Sequence, residues 1–329
     1  MRTIAKSASS AARPLLLRVE YDGTAFYGSK WCADGRTVQG VLQEAITALT
    51  GERDVRTWIS SRTDRGVHAR GLAVLVHTAS MHTASALKDL NRVLATQQDI
   101  ICHDVQMVGN PDFHPSQDAV AKRYTYSCVC GAENGMDQRV RSRAWYVPQM
   151  LDAEAMRRAA MHLVGRPMDF SAFRGSGCSV SRLSPMCCLE SIEVASSTSP
   201  HGVQQHVAFD VVGNRFLYKM VRRIVGTLVA VGKGDMPGDD IPRLLEARRR
   251  GATDLPPAAP AHGLCLEEVR YPHRCMEAQP VEIAPGSQAT IVSGLYLRRA
   301  GVVTGGRHGY VQIRMAGGEV VNTRRVHVR

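Results

Sequence analysis

A short polar segment between two apolar runs holds the residues best suited to chemistry. It reads SSRTDRGVHARG at residues 60–71 and contains one carboxylate, Asp64, among three arginines and a histidine. On an extended backbone Arg62 and Asp64 share a face, and Arg65 points the other way. A neighbouring guanidinium keeps an aspartate ionised, so that it can act as a nucleophile or as a base. A surface salt bridge is the alternative that this segment alone leaves open.

A second basic cluster reads GNRFLYKMVRRIVG at residues 213–226. Asn214 is a good helix N-cap, which predicts that a helix begins directly after it. Lys219 and Arg223 lie four residues apart, and Arg222 comes from a neighbouring face of the same helix. The pattern fits a solvated basic face, a phosphate-binding helix, or a helix whose arginine reaches the aspartate of the first motif.

A third motif, KRYTY at residues 122–126, opens a predicted strand. Strand alternation puts Tyr124 and Tyr126 on one face and Arg123 on the other. Both tyrosines can be core residues, or one of them can pack over a nucleobase that has left its helical stack.

The composition favours a polyanionic partner and excludes several other classes. The net charge of +11 and the pI of about 9.4 point to nucleic acid first. Basic proteins of ribosomes or membrane surfaces share this charge balance. The nine cysteines form no CxxC pair, so neither a zinc site nor a disulfide framework is predicted, and buried reduced thiols are expected. No apolar run approaches the roughly 18 residues of a membrane span, so no membrane partner is expected.

The first seventeen residues are basic, rich in serine and alanine, and free of acids. This composition is typical of a transit peptide and predicts a leader over residues 1–14 with a location in the mitochondrial matrix. An ordinary flexible N-terminus, in a cytoplasmic or nuclear protein, is the alternative.

Apolar periodicity predicts two α+β units of similar build. In the first unit, residues 15–110, the order β-α-β-β-α-β is that of a ferredoxin-like subdomain. The second unit, residues 111–273, repeats strands and helices in a comparable order, which predicts tandem subdomains that share one sheet. The predicted strands are 15–21, 55–59, 72–77, 100–108, 124–130, 189–195, 207–212 and 264–271, and the predicted helices are 37–50, 83–94, 152–164 and 216–231.

The last part of the chain, residues 274–329, has a different character. It carries eight arginines and three glutamates. Gly-Gly pairs at 305–306 and 317–318 predict turns between short strands. A basic, β-rich extension that binds RNA or protein is therefore expected here.

Seven motifs together resemble one family. The motifs YDGTAFYGSK, RTVQGVLQEAI, SRTDRGVHARG, KRYTY, DFSAFR, NRFLYKMVRRIVGTL and PPAAPAHGLCLEEVRYP occur in the order and spacing of the TruA-type tRNA pseudouridine synthases. The resemblance runs from residue 15 to residue 272. It implies two ferredoxin-like subdomains in one mixed, mainly antiparallel sheet, a positive cleft, and a homodimer that grips RNA across both subunits. It also implies an isomerase that converts uridine into pseudouridine in tRNA, with the anticodon stem-loop as the expected target and with no metal or cofactor.

The resemblance also implies roles for particular residues. Asp64 resembles the catalytic aspartate, and Arg62 resembles the residue that holds the target nucleotide out of its stack. Tyr124 resembles the tyrosine that packs against the base, Arg222 the arginine that pairs with the aspartate, and Leu264 an apolar wall residue beside the base. The candidate RNA contacts are Arg62, Arg65, His68, Lys122, Arg123, Lys219 and Arg223.

Several positions depart from the family pattern. Ser61 and Arg65 stand where the family usually has Gly and Ala, and Ser116 and Cys187 stand where it carries arginine. GSK at residues 28–30 replaces the common Gly-Trp-Gln. These departures motivate an alternative function, namely an RNA-binding or ribosome-assembly factor that keeps the fold and binds a ribosomal precursor or other structured RNA.

Overall fold

The structure is a computed structural model. It describes residues 13–81, 83–110, 112–131, 138–175, 184–199, 203–247 and 255–272, together with five short strands between residues 288 and 328. The chain divides into two compact units, one that ends at Asp118 and one that begins at Ala119. Among the described residues, none of the helices has the length and apolar character needed to cross a membrane.

The first unit follows the predicted order of elements. Every strand pair within it is antiparallel: β1 lies between β3 and β4, and β2 pairs with β3. Its elements are β1 (Arg13–Tyr21), α1 (Val38–Thr50), β2 (Arg56–Ile59), β3 (His68–Thr78), α2 (Thr83–Leu94) and β4 (Ile100–Met107).

The ends of α1 are set by its sequence. The Thr37 side chain accepts a hydrogen bond from the Gly40 N–H at the start, and Gly51 adopts a left-handed φ of 74° at the end. The residues at helical spacing between them, Val38 to Ile46, are buried. The helix prediction over 37–50 is therefore confirmed, whereas β3 begins at His68, four residues earlier than predicted. Its longer pairing with β1 extends the strand into the polar segment.

The second unit contains a mixed sheet in the order β10-β5-β9-β8-β7, with β6 parallel to β5 and all other pairs antiparallel. Helix α5 is buried from Ile224 to Gly232 and packs against α4. The elements are β5 (Ala121–Gly131), α3 (Gln138–Arg141), β6 (Trp145–Val147), α4 (Ala153–Ala160), β7 (Pro167–Asp169), β8 (Met186–Thr198), β9 (Gln204–Gly213), α5 (Met220–Lys233), α6 (Ile241–Glu246) and β10 (Leu264–Arg270).

Two helix predictions in this unit need correction. Helix α5 begins at Met220 and not at residue 216, because Asn214 does not cap it. The Asn214 side chain instead accepts a hydrogen bond from the Cys188 N–H at 2.9 Å, and its own N–H bonds the Cys188 carbonyl at 3.0 Å. The predicted helix 152–164 is α-helical only to Ala160, after which a 3-10 turn follows.

The C-terminal strands form a separate antiparallel sheet in the order β14-β13-β12-β11-β15. The turn predicted at Gly305-Gly306 is wrong, because both residues lie inside β12, next to an irregularity in its pairing with β13. The pair at 317–318 lies outside the described residues. The strands are β11 (Gln288–Ile291), β12 (Ala300–Arg307), β13 (Tyr310–Met315), β14 (Val320–Thr323) and β15 (Val326–Val328).

Candidate active-site residues

Asp64 lies in the loop that joins β2 to β3 in the first unit. Burial alternates along this loop: Ser61 and Thr63 are buried, Arg62 is exposed, and Asp64 is half-buried. Arg62 and Asp64 therefore lie on the opposite side of the loop from Thr63, as the alternation of an extended backbone predicts. The alternation ends there, because Arg65, predicted on the other face, is exposed as well.

Ser29 holds this loop from below. Its hydroxyl accepts a hydrogen bond from the Thr63 N–H at 2.8 Å and donates one to the Ser61 carbonyl at 3.1 Å. The Ser29 N–H also bonds the Thr63 carbonyl at 3.3 Å. Tyr21 adds a fourth bond, because its hydroxyl lies 2.8 Å from Oγ1 of Thr63. Since Thr63 directly precedes Asp64, these buried bonds fix the backbone that carries the carboxylate.

Two glycines permit the close approach of the chain segments around this loop. Gly28 has a φ of +121°, and a Cβ there would lie 2.6 Å from the Thr63 carbonyl oxygen. A Cβ on Gly23 would lie 2.1 Å from the Val67 carbonyl oxygen. The motif YDGTAFYGSK packs directly on the loop that carries Asp64. Both positions therefore require glycine.

The predicted RNA contacts of the first unit have different environments. Arg65 is exposed, and its guanidinium carbon lies 4.3 Å from the centre of the Tyr27 ring. His68 is only 3% exposed, and its Nδ1 accepts a hydrogen bond from the Gly23 N–H at 3.1 Å. This burial does not fit the RNA contact predicted for His68, and it gives the imidazole a role in holding the turn at Gly23.

Tyr124 and Tyr126 both lie on the buried face of β5, as their alternation predicted. The Tyr124 ring meets Phe216 edge-on, with ring centres 5.1 Å apart. The Tyr126 hydroxyl donates to the Pro260 carbonyl at 2.8 Å. Burial raises the pKa of Tyr126 well above its ordinary value, so Tyr126 stays protonated in the core.

Arg222 is tied to the segment that precedes β10. Its Nε donates to the Ala259 carbonyl at 2.7 Å, and the Ala259 N–H donates to the Arg222 carbonyl at 2.9 Å. One turn further along α5, Gly226 lets the Pro257 carbonyl approach so closely that a Cβ would lie 2.2 Å from it. Leu264 is buried at the start of β10, opposite Tyr126. The second unit thus carries Tyr124 and Leu264 on the paired strands β5 and β10, and Arg222 on a helix bonded to the segment that precedes β10.

Three basic residues of the second unit, which the sequence predicts to contact RNA, already contact other groups of the protein. Arg123 is bound to the Asp210 carboxylate by several hydrogen bonds, which raise the pKa of Arg123. The Arg223 side chain donates to the Ala172 carbonyl at 3.1 Å, and burial lowers its pKa. Lys219 adopts a left-handed φ of 56° directly before α5, with its ammonium 5.1 Å from the Tyr218 ring.

Lys122 is buried at the start of β5, with 9% of its surface exposed. Burial, and secondarily the charge of Arg215, lower its pKa to about 8. Such burial does not fit the exposed RNA contact that the sequence predicted.

Sequence inspection missed the residues that hold the site in place. Ser29, Ala259 and Gly226 all lie inside the quoted motifs, but their supporting contacts arise only when the chain folds. The glycines beside them were the available signal, because Gly28 and Gly226 lie inside motifs that sequence inspection had already singled out. No group of three or more His, Cys, Asp or Glu side chains in the described part of the chain is arranged to hold a metal ion.

Comparison with known proteins identifies the family. The family model described as tRNA pseudouridine synthase matches residues 18–116 and 159–272. The chain therefore belongs to the tRNA pseudouridine synthase family. Both matched segments include candidate residues, Asp64 in the first and Arg222 and Leu264 in the second.

Individual relatives agree with the family model. A "tRNA pseudouridine synthase A" of Roseiflexus castenholzii is 38% identical over 267 residues, which cover 79% of this chain and 91% of the relative. Proteins of the same name from Roseiflexus sp. strain RS-1 and Acetivibrio thermocellus are 37% and 38% identical. They cover 83% and 79% of this chain and 96% and 100% of the relatives, respectively. Among solved structures, DyPB from Rhodococcus jostii RHA1 matches 78% of this chain and 92% of its own, with 9% identity and a TM-score of 0.17, too low to support an argument.

Proposed function

We propose that this protein is an isomerase that converts uridine into pseudouridine in tRNA. The observation that carries the proposal is Asp64, a half-buried carboxylate on a loop fixed by buried hydrogen bonds, within a chain of the pseudouridine synthase family. The relatives are named for the same activity on tRNA. Nothing in these comparisons favours a binding or assembly factor without catalysis.

The proposed chemistry breaks the bond between the uracil nitrogen and the sugar, rotates the base, and joins a ring carbon to the same sugar carbon. The atoms of the nucleotide are rearranged and none is added or lost. Asp64 either attacks the anomeric carbon or removes a proton from the sugar, and both roles need the ionised carboxylate. We assign Tyr124 to contact with the base and removal of the ring proton, Arg222 to orientation of the aspartate, and Leu264 to the apolar wall beside the base.

The target uridine must leave the helical stack before Asp64 can reach it. Arg62 is exposed on the same side of the loop as Asp64, which supports a role in holding the nucleotide out. Arg65 and Lys219 remain proposed phosphate contacts. The anticodon stem-loop is the proposed target.

We also propose how the chain divides into subdomains. The order β-α-β-β-α-β and the antiparallel pairs of the first unit support a ferredoxin-like subdomain over residues 15–110. The second subdomain is assigned to residues 111–273 and the basic extension to residues 274–329. A homodimer, as the family resemblance implies, and a mitochondrial location, as the composition of the leader suggests, complete the proposal.

The test is to incubate the purified protein with unmodified tRNA transcripts and to map pseudouridine chemically at each position. We expect pseudouridine at one or a few uridines of the anticodon stem-loop. Product elsewhere in the tRNA would correct the target, whereas no product from any tRNA would overturn the proposed activity.

A further inference from the structure

Exposed aromatic rings are rare in the described part of the chain, and two of them lie on the loop that contacts Thr63, the residue before Asp64. Aromatic residues make up only 5% of the chain. Among the described residues, the exposed large aromatic side chains are Tyr27, Trp31 and Tyr218. Tyr27 and Trp31 are 47% and 57% exposed and belong to one loop of the first unit, residues 26–37. Exposing two large rings has a solvation cost, which a stacking partner would remove.

This loop is built rigidly against the residues that flank Asp64. The Tyr27 N–H bonds the Arg36 carbonyl at 2.8 Å and closes the loop. Gly28 and Ser29 contact Thr63 directly, as described above. The backbone that carries both rings is therefore tied to Thr63, which directly precedes Asp64.

Trp31 has a fixed backbone and an exposed ring. Its backbone N–H donates to Oε1 of Gln39 at 3.0 Å, and the Gln39 side-chain amide donates in turn to the carbonyl and hydroxyl oxygens of Thr57, both at 3.0 Å. The indole lies beside the first turn of α1, where a Cβ on Gly40 would be 3.5 Å from its Cδ1 atom. An indole on a fixed backbone can stack on a base at a lower cost in conformational entropy than one on a mobile loop.

The Tyr27 ring differs from Trp31 because one of its faces is already covered by a side chain of the protein. The guanidinium of Arg65 lies 4.3 Å from its centre, and Gly35 lies so close that a Cβ there would be 2.6 Å from the ring. Stacking on tyrosine holds the long Arg65 side chain in one orientation while leaving its charge exposed. Lys30 and Arg62, which are close in sequence to Trp31 and Arg65, are also exposed.

We propose that Trp31 and the Tyr27–Arg65 pair form a platform for the RNA next to the target uridine. Trp31 stacks on a neighbouring nucleobase, Arg65 binds a phosphate, and Tyr27 acts as a positioning residue for Arg65. The phosphate contact of Arg65 would position the RNA backbone, and it would not read the base sequence. The inference rests on the proposed function, because it takes the RNA substrate from there.

The test measures the affinity of an unmodified tRNA transcript for Trp31→Ala, Arg65→Ala and Tyr27→Leu variants over a range of salt concentrations. Trp31→Ala should weaken binding about tenfold or more without changing the salt dependence, as for removal of one stacked base. Arg65→Ala should lower the slope of log affinity against log salt by roughly 0.7 to 0.9, as for one lost phosphate contact. Tyr27→Leu should reproduce part of the Arg65→Ala effect, and Tyr27→Phe should leave binding unchanged because it keeps the ring.

Two control variants separate this site from general surface effects. Arg92→Ala removes an exposed arginine of α2, and Met161→Ala removes an exposed apolar side chain of the second unit. Both should bind tRNA as wild type does. In wild type, a base stacked on Trp31 should quench the fluorescence of that indole. Trp31→Phe should lose this quenching but bind tRNA within about threefold of wild type.

Wild-type affinity and salt slope in Trp31→Ala and Arg65→Ala would overturn the platform, even if wild type forms pseudouridine. A wild type that binds tRNA through these residues but forms no pseudouridine would overturn the proposed activity and leave the platform standing.

Discussion

The position of Asp64 depends on neighbouring residues that take no part in the reaction. Ser29 accepts from the Thr63 N–H and donates to the Ser61 carbonyl, and both bonds are buried. Removing one hydroxyl leaves the Thr63 N–H without this acceptor, and an unsatisfied buried donor costs about 1–3 kcal/mol. Single residues of this kind decide whether the carboxylate is held ready to react.

Ser29→Ala should therefore lower the free energy of unfolding by about 1–3 kcal/mol, measured by denaturant titration. It should also lower kcat more than it raises KM, because the loop that presents Asp64 loses its support. Thr24→Ala, which removes an exposed hydroxyl bonded to Asp22, is the control and should change little. Unchanged kcat in Ser29→Ala would show that Asp64 is held by other contacts.

Lys122 makes the stability of the protein depend on alkaline pH. Its pKa is lowered to about 8 by burial, whereas an unfolded lysine keeps its ordinary value near 10.5. Between these values the unfolded chain binds more protons than the folded chain, so stability increases as the pH rises from about 8 to about 10. Below pH 8 the buried charge costs on the order of 3 kcal/mol.

Replacement of this residue, Lys122→Met, should remove that pH dependence. The free energy of unfolding of wild type, minus that of the variant, should increase between pH 7.5 and pH 10. Taking the difference cancels the opposite contribution of the buried thiols of Cys102, Cys130 and Cys187, whose pKa values burial raises to about 11. If this difference in unfolding free energy does not change with pH, water reaches the Lys122 ammonium and burial does not lower its pKa.

At the scale of elements, α5 and the segment before β10 form one packed unit around Arg222. The contact between Gly226 and the Pro257 carbonyl allows them to approach, and the two Arg222–Ala259 bonds join them. Alanine favours a helix over glycine by about 1 kcal/mol, but a Cβ placed 2.2 Å from a carbonyl oxygen forces the backbone to move. The steric effect outweighs the helix propensity here.

Gly226→Ala should therefore destabilise the protein by about 1–3 kcal/mol and reduce pseudouridine formation, because Arg222 moves with the displaced segment. Denaturant titration and a single-turnover assay measure the two effects. Gly165→Ala, at a left-handed φ of 89° with open space around it, is the matched control and should cost only its backbone strain. A Gly226→Ala variant as stable and active as wild type would contradict this packing.

The sequence predicted the elements well where apolar periodicity was unbroken, and poorly where tertiary contacts override local signals. Helices α1 and α2 and the strands of the first unit were predicted to within a few residues. Helix α5 was placed too early because Asn214, a good N-cap by type, bonds the neighbouring strand β8 instead. The short strands β6 and β7 were missed, since three residues carry no periodic pattern.

The motifs in the sequence indicate which residues have side chains suited to the site. The motifs do not predict whether those side chains are buried, because burial depends on which strands become neighbours. His68 and Lys122 show this clearly: both are basic residues beside catalytic candidates, and both are buried.

For the molecule as a whole, the excess of positive charge should govern how RNA binds. A net charge of +11 implies that several phosphates are neutralised in the complex, and each releases counterions. The affinity for tRNA should therefore fall by about 10³-fold or more between 50 and 200 mM salt, if six or more phosphates are contacted. A weak salt dependence in a filter-binding titration would show that most of these charges do not contact RNA.

The basic extension offers a second test at this scale. Replacing its eight arginines with glutamine keeps the chain length but removes the positive charge. The salt slope of tRNA binding should decrease in magnitude, and the free energy of unfolding of the part of the chain before residue 274 should stay constant. An unchanged slope would show that the arginines of the extension do not contact tRNA phosphates.

The central claim is that Asp64 performs the isomerisation, and the pseudouridine yield of Asp64→Asn under single-turnover conditions tests it most directly. This variant keeps the size of the side chain and removes its charge. We predict no detectable pseudouridine within the time that wild type needs for complete conversion, together with tRNA affinity and a free energy of unfolding close to wild type. Pseudouridine formed by Asp64→Asn at a rate near that of wild type would contradict the claim.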